Sequence, residues 1–161
     1  MSSNLIPRRT VLVGLFGLAG CGFAPVYGGG KGFKEKVTFE TGESVAGYRL
    51  QERLEDRLGR STAPEYVLRV RLRSRQRAAA ITAEGDTSRL NIVGTASWSL
   101  RSVSDGKQID EGEVEAFTSY SATGSTIATQ ATRDDAEARL SVIFADLIVS
   151  RLLVLSAEPQ Q

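Results

Sequence analysis

The chain has 161 residues, the length of one ordinary domain, and its 20 Lys and Arg against 19 Asp and Glu leave a formal charge of +1, which gives no reason to expect nucleic-acid binding. A composition that is 41% hydrophobic and 24% charged is typical of a globular protein and excludes a collagen-like or disordered chain. Histidine is absent and cysteine occurs once, so His-dependent catalysis, a His or Cys-cluster metal site and an intrachain disulfide are excluded.

The N-terminal segment has the pattern of an export signal. The apolar run VLVGLFGL at positions 11–18 follows two arginines and precedes small residues, as in a secretory signal peptide. The run is too short to span a membrane, which takes about 20 apolar residues. Its end, LAGC at positions 18–21, resembles the lipobox of bacterial lipoproteins, in which the cysteine becomes the acylated first residue. We therefore expect a signal peptide over 1–20 and lipidation at Cys21, with Sec and Tat export both open.

A glycine-rich segment follows the cysteine. Residues 22–32 contain five glycines and one proline, a composition typical of a flexible linker. Glycine rather than aspartate follows Cys21, which favours the outer membrane over retention in the inner membrane. We expect a lipidated linker over residues 21–35, a folded domain over 36–156 and a short tail over 157–161.

The domain begins with a short candidate strand and a helix. Lys36–Glu40 is the strand. Ser44 is a suitable N-cap and Gly59 a suitable C-terminal cap for the helix between them. An apolar residue recurs every four positions along this helix and predicts one buried stripe, formed by Ala46, Leu50, Leu54 and Leu58.

The middle of the chain alternates between apolar and polar residues, which predicts three strands. Over Tyr66–Arg77 the first even-numbered positions are apolar and five odd-numbered positions are arginine, so the two kinds of side chain point to opposite faces. Leu90–Val103 alternates in the same way. Asp105-Gly106 is a hairpin signal before a returning strand over Lys107–Tyr120.

A long C-terminal helix completes the domain. The sequence TRDD at 132–135 matches a capping box, so its two aspartates are better explained as helix-start residues than as a catalytic pair. The predicted core stripe of this helix is Ala136, Leu140, Ile143, Phe144, Leu147 and Ile148. Together these elements predict an α+β fold, with two helices packed on one face of a four-stranded, mostly antiparallel sheet whose strand order stays open.

The odd-numbered arginines of the first long strand form the first candidate site. Guanidinium groups pair bidentately with phosphate or carboxylate, so a row of them about 26 Å long suits an acidic partner. The alternative is the solvent-facing side of a half-covered sheet, where charges discourage edge pairing. The row consists of Arg69, Arg71, Arg73, Arg75 and Arg77.

Two further segments are candidates for partner contact. The stretch 116–132 carries no charge and is rich in Ser and Thr, which suits a wet, confined interface, although a strand end and a turn would explain it equally. The face of the last helix opposite its predicted core stripe is also apolar, which suits either a partner or burial on both sides. This face consists of Val142, Ala145, Val149, Leu152 and Leu153. The candidate contact residues are Tyr120, Ser121, Thr123, Ser125, Val142, Val149 and Leu153.

Several stretches together resemble the LptE lipoproteins of alphaproteobacteria. They are CGFAPVYG at 21–28 and the segments Tyr66–Arg73, Arg89–Asn91, Ala116–Ser125 and Asp134–Leu152. The resemblance implies two helices on a four-stranded sheet, no catalytic residues, no metal and no cofactor. It also implies an outer-membrane lipoprotein that plugs the LptD β-barrel, assists its assembly and helps insert lipopolysaccharide into the outer leaflet. The expected partners are then an LptD-like barrel, the membrane through the lipid, and lipopolysaccharide, whose phosphates the arginine row could contact.

Other functions stay open at this point. The main alternative is a periplasmic lipoprotein that scaffolds a different envelope complex and does not touch lipopolysaccharide. A soluble lipid carrier would need an internal apolar cavity, which a sequence cannot show. A small hydrolase ranks last, because the chain offers no convincing acid–base pair.

Overall fold

The computed structural model describes residues 32–81, 87–123 and 125–157. The predicted signal peptide over 1–20, the lipidation at Cys21 and residues 158–161 of the predicted tail lie outside the described residues. Within the predicted linker, Phe33 packs edge-to-face on Tyr66 with the ring centroids 5.2 Å apart. The folded part of the described chain therefore includes Phe33 and the residues after it.

The sheet has four strands, and two helices cover one of its faces, as the sequence predicts. The strands lie in the order β1-β2-β3-β4; β1 runs parallel to β2, and the other two neighbouring pairs are antiparallel. The elements in chain order are β1 (Val37–Glu40), α1 (Val45–Leu58), β2 (Tyr66–Ile81), β3 (Thr87–Ser102), β4 (Gln108–Ser121) and α2 (Thr126–Ala157).

Helix α1 forms where its capping residues predict. The Ser44 side chain accepts a hydrogen bond from the backbone N–H of Gly47, with 3.0 Å between the atoms, and so satisfies a helix-start donor. Gly59 ends the helix at φ +80°, a conformation that glycine adopts without the steric cost other residues incur. Of the predicted stripe, Leu50, Leu54 and Leu58 are buried in the core, and Ala46 is half-buried.

The alternation along β2 and β3 sorts side chains between the two sheet faces. Leu68 on β2 pairs with Leu100 on β3, and both side chains are fully buried beneath the helices. The next alternate pair, Val70 and Trp98, is buried on the same face. Since successive residues of a strand point in opposite directions, the odd-numbered residues face away from the helices.

Helix α2 begins six residues earlier than the predicted capping box. The Ser125 side chain accepts a hydrogen bond from Ala128 N–H at 3.3 Å, so the helix begins at Thr126. Thr132 lies inside the helix, where its hydroxyl donates to the carbonyls of Ser121 and Thr129. Thr118 Oγ1 donates a hydrogen bond to the Ala136 carbonyl and so fixes this part of α2 to β4. This is a tertiary contact, which local sequence does not reveal.

The two aspartates of the predicted capping box are also inside α2. Asp134 accepts a hydrogen bond from the Gln130 side chain, and Asp135 forms an ion pair with Arg139, four residues along in each case. Such spacing brings side chains together on one helix face. They therefore stabilise the helix along its length, and the prediction that they cap its start is wrong.

The buried face of α2 is rotated from the predicted one. Ile143 and Leu147, predicted as core, are 38% and 40% exposed, whereas Ala145 and Leu152 from the predicted opposite face are buried. Ala136, Leu140, Phe144 and Ile148 are buried as predicted. Because the helix is apolar nearly all round, its rotation is decided by the packing of α1 and the sheet against it rather than by its own pattern.

Among the described residues, α2 has the length and apolar composition that a membrane-spanning helix needs. The same properties occur in the core helix of a soluble protein, and α2 contributes much of this core. Packing against the sheet therefore explains why one side of α2 is apolar. The side away from the sheet is apolar as well, although it is exposed.

Close approach between α2 and the sheet depends on Gly94 of β3. A Cβ atom added there would lie 2.9 Å from both Leu140 Cδ2 and Phe144 Cζ, closer than carbon atoms pack. A glycine within a strand is typical of such a close approach. The helix can sit at its observed depth because this position has no side chain.

We expect Gly94→Ala to lower the free energy of unfolding by about 1–3 kcal/mol, because overpacking would push α2 away from the sheet. Chemical denaturation checks this. Gly32→Ala is the matched control, since a Cβ there meets nothing within 4 Å, and its effect should stay below about 0.5 kcal/mol. Equal stability of Gly94→Ala and the wild type would show that the close approach is not tight.

Candidate functional site

The sheet face away from the helices, here called the open face, sorts its side chains by charge. Strand β2 presents the five predicted arginines, all exposed. Strand β3 presents small polar residues in the middle, and β4 presents a row of carboxylates from Glu111, Glu113 and Glu115. In the middle of the sheet, the open face therefore carries a basic row and an acidic row separated by the uncharged part of β3.

The strand register aligns these rows across the sheet. Arg71 pairs with Ser97, which pairs with Glu113. Arg73, Thr95 and Glu115 form the next alternate row in the same way. Neighbouring strands lie about 4.8 Å apart, so the backbones of the basic and acidic rows are about 10 Å apart.

One arginine of the row already has a partner. Arg69 Nη2 lies 2.6 Å from Glu40 Oε2 on β1, the residue directly opposite it in the register. The four arginines beyond it, Arg71, Arg73, Arg75 and Arg77, form no ion pair with another residue in the described part of the chain. Among the described residues, no carboxylate is paired with these four guanidinium groups, so none there would have to be displaced by an external anion.

The acidic row and the aromatic residue that continues it were not predicted as site residues. Glu113 accepts a hydrogen bond from Ser97 Oγ at 2.9 Å, and Phe117, two residues beyond Glu115, is 64% exposed beside Val93. The signal was present in the sequence, because Glu at 111, 113 and 115 has the same period of two as the arginines. What the sequence could not show is that the two rows share one face.

The uncharged stretch 116–132 is divided between a strand and a helix, which is closer to the alternative of a strand end and a turn than to one contact segment. Its first part belongs to β4 and its last part to α2. Ser121 and Thr123, whose hydroxyl oxygens are 2.8 Å apart, and Ser125 are exposed, as a contact surface requires. Tyr120 is buried in the core at the end of β4, so its prediction as a contact residue is corrected.

An apolar strip runs along the outward side of α2. Of the predicted contact residues on this helix, Val142 is 38% exposed and Leu153 is partly buried against the core. Val149 is fully buried, so its prediction as a contact residue is corrected. The rotation of the helix explains this difference. Apart from Ile127 near its start, the exposed large apolar residues of α2, here called the α2 strip, are Val142, Ile143, Leu147 and Val154.

A groove of about 510 Å³ lies where the α2 strip meets α1. Ala138, Val142 and Ile143 contribute apolar side chains to it, and charged side chains of α1 line its other wall. Nearby, Arg53 Nε and Nη2 donate to the two carboxylate oxygens of Asp146, each at 3.1 Å, and this pairing raises the pKa of the Arg53 guanidinium. The groove thus has an apolar floor and lies between two helices, which the Arg53–Asp146 ion pair connects.

The side chains on these surfaces are of the kinds that bind partners. Within residues 32–157, apart from the undescribed positions, no group of three or more Asp, Glu, His or Cys side chains could hold a metal ion. The open face offers fixed positive charges, hydroxyl groups and fixed negative charges, which bind partners through ion pairs and hydrogen bonds. The α2 strip offers hydrophobic contact.

Comparison with known proteins agrees with this architecture. The family model LptE, described as Lipopolysaccharide-assembly, matches residues 36–152, which is most of the described fold. No curated protein matches the sequence.

Solved structures of lipoproteins share the fold. A protein of Caulobacter crescentus CB15 assigned as a lipoprotein superposes with a TM-score of 0.63 at 22% identity, covering 76% of this chain and 92% of its own. Rare lipoprotein B of Shewanella oneidensis gives 0.57 at 12% identity, with 74% and 92% covered. A minor lipoprotein of Acinetobacter baumannii gives 0.56 at 17% identity, with 78% and 97% covered.

The superpositions show that these structures share the fold at low sequence identity. The family model, in contrast, matches the sequence itself. The fold, the order of its elements and the match over residues 36–152 agree with one another. The chain therefore belongs to the LptE family of lipopolysaccharide-assembly proteins.

Proposed function

We propose that this protein is an outer-membrane lipoprotein that plugs an LptD-like β-barrel, helps the barrel to assemble, and assists the insertion of lipopolysaccharide into the outer leaflet. The observation that carries the proposal is the LptE family match over residues 36–152. In this proposal the protein acts by binding and performs no chemical reaction. A lipid at Cys21 would hold it to the membrane.

The open face suits the inside of a barrel. The interior of a large outer-membrane barrel is polar and filled with water, so a plug needs a polar surface rather than an apolar one. The sheet supplies such a surface over the length of β2, β3 and β4, with charged and hydroxyl side chains in aligned rows. Contacts with the wall would form through side chains, because a closed barrel leaves no unpaired strand.

The α2 strip supports the presence of a protein partner. Its four residues are between 38% and 53% exposed, and three of them lie within two turns of the helix. Adjacent apolar residues on the surface of a soluble domain mark contact sites more often than isolated ones do. Covering this strip would remove apolar side chains from water and so stabilise a complex.

Affinity purification of the tagged protein from detergent-solubilised membranes tests the proposal. We expect recovery of a β-barrel protein in roughly equal amount. Leu147→Glu should reduce that recovery, because the interface would have to bury an unpaired charge, and quantitative mass spectrometry measures it. Val103→Glu is the matched control, since Val103 is 50% exposed in the turn after β3 and outside the strip.

Repeated purification of the wild-type protein without a barrel would contradict the plug proposal. Recovery instead of a defined set of other envelope proteins would support the scaffolding alternative. If Leu147→Glu and Val103→Glu reduce the recovery of the barrel protein equally, the α2 strip is not the contact surface.

The arginines of β2 that form no ion pair among the described residues are proposed to contact lipopolysaccharide. Its phosphates are anionic, and guanidinium groups form charge-assisted, bidentate hydrogen bonds with phosphate. The structure narrows the predicted set, because Arg69 is already paired with Glu40. The proposed contact residues are Arg71, Arg73, Arg75 and Arg77.

We expect the triple variant Arg71→Ser, Arg73→Ser, Arg75→Ser to bind lipopolysaccharide at least about ten-fold more weakly, since each lost bond to a charged group is worth roughly 1.5–3 kcal/mol before discounting for exposure. Its affinity should also depend less on salt, because fewer charges contribute. Binding to purified protein at several salt concentrations measures both effects.

Single substitutions provide the matched control. Arg73→Ser should weaken binding measurably, whereas Arg69→Ser should change it by less than about two-fold, because that guanidinium is already neutralised. If the triple variant and the wild type bind lipopolysaccharide with equal affinity, the proposal that the arginine row contacts lipopolysaccharide is wrong.

The lipid anchor at Cys21 can be tested separately. We expect mass spectrometry of the mature protein to find an N-terminal cysteine carrying acyl chains, since stable anchoring takes at least two. A Cys21→Ala variant that is exported should leave the membrane fraction in cells lacking the barrel. An unmodified Cys21 in the mature protein, or a Cys21→Ala variant that stays in the outer membrane without a companion, would contradict the anchor.

A further inference from the structure

Strand β2 has an unpaired edge for most of its length. Its neighbour β1 pairs with it only from Tyr66 to Arg69. On the other side, β3 accompanies β2 as far as Ile81. Within the described chain, no strand pairs with the outer edge of Val70–Ile81, so every second residue there presents its backbone N–H and C=O groups outward.

From Arg73 to Ala80, this part of β2 is also uncovered on both faces. Every residue from Arg73 to Ala80 is exposed, although Ser74, Gln76 and Ala78 point to the helix side of the sheet. Helix α2 packs chiefly on β4 and β3, and α1 lies beside β1, so neither helix extends over this half of the strand. A strand held only by one neighbour, with an open edge, is a template for pairing with another strand.

The ion pair at the end of β1 shows which chemistry such a strand would need. Glu40 lies opposite Arg69 in the register, and their side chains are 2.6 Å apart. After Glu40 the chain leaves the sheet, turning at Gly42 with φ +82°. A strand placed along the continuation of β1 would meet Arg71, Arg73 and Arg75 at every second position.

We infer that the free edge of β2 binds an extended, acidic segment of another polypeptide by strand addition, with carboxylates at alternate positions opposite the arginines. Backbone hydrogen bonds would supply affinity, and the alternating charges would fix the register and the preference for acidic sequences. This site concerns protein recognition and does not rest on the barrel proposal.

A second copy of the chain fits the edge less well. Two β2 edges paired with each other would bring arginine opposite arginine, which is destabilising. The acidic β4 edge of another copy has the matching charges, but that contact would be head-to-tail and would build an open-ended filament. Repulsion between arginines disfavours the first arrangement and open-ended growth disfavours the second, so a separate acidic strand is favoured.

A nine-residue peptide with glutamate at every second position and threonine between them is the probe. We expect it to bind the purified protein and to slow hydrogen exchange at alternate backbone amides of Val70–Ala80. The same peptide methylated on its alternate backbone nitrogens keeps its charge but cannot pair with an edge, so it should bind at least ten-fold more weakly. Equal binding of the two peptides, or unchanged exchange along β2, overturns the inference.

Charge reversal provides the matched pair of variants. Arg75→Glu should weaken binding of the glutamate peptide at least ten-fold and improve binding of a lysine version of it. Arg101→Glu makes the same change at an exposed position on the inner strand β3 and should have less than a three-fold effect. Equal losses in both variants would mean attraction by overall charge and would overturn the site.

Sedimentation of the protein alone tests the second copy as occupant. A monomer at all concentrations supports the inference, whereas self-association that Glu113→Lys abolishes would assign the edge to β4 of another copy and overturn it. Because these measurements need neither a barrel nor lipopolysaccharide, their failure is separate from failure of the proposed function.

Discussion

Burial of one side of the sheet beneath the two helices is the constraint on which the rest of the structure depends. Leu68 and Leu100, paired across β2 and β3, are fully buried there, and their positions determine which residues of each strand point inward. Since a shift by one residue would expose the entire apolar set, the register is strongly specified. Every charged residue that alternates with that set must then lie on the open face, so the arrangement of the basic and acidic rows follows from the packing of the core.

The helices and strands differ in length, and this difference creates the surfaces that can interact. Helix α1 has 14 residues and α2 has 32, whereas β1 has only four. The short β1 leaves most of β2 with an open edge, and the long α2 extends beyond what the sheet and α1 can cover. The exposed apolar residues of α2 and the exposed arginines of β2 therefore arise at places where one layer ends before its neighbour does.

The parts of the fold set by local geometry could be predicted from the sequence. The caps of α1, the alternation of the long strands and the position of the arginines on one face depend on spacing within a segment. The rotation and start of α2 could not be predicted, because a helix that is apolar nearly all round presents several possible core faces, and contacts such as Thr118 with Ala136 are formed only in the folded chain. The proximity of the glutamate row to the arginines likewise requires the register of three strands.

The separation of the two rows gives the sheet a permanent electric dipole directed across its strands. Near an anionic lipid surface, within roughly a Debye length of about 8 Å, this dipole would experience a torque that turns β2 towards the lipid and β4 away from it. The alternating sequence of three strands can thus orient the whole folded body relative to a bilayer before any specific contact forms.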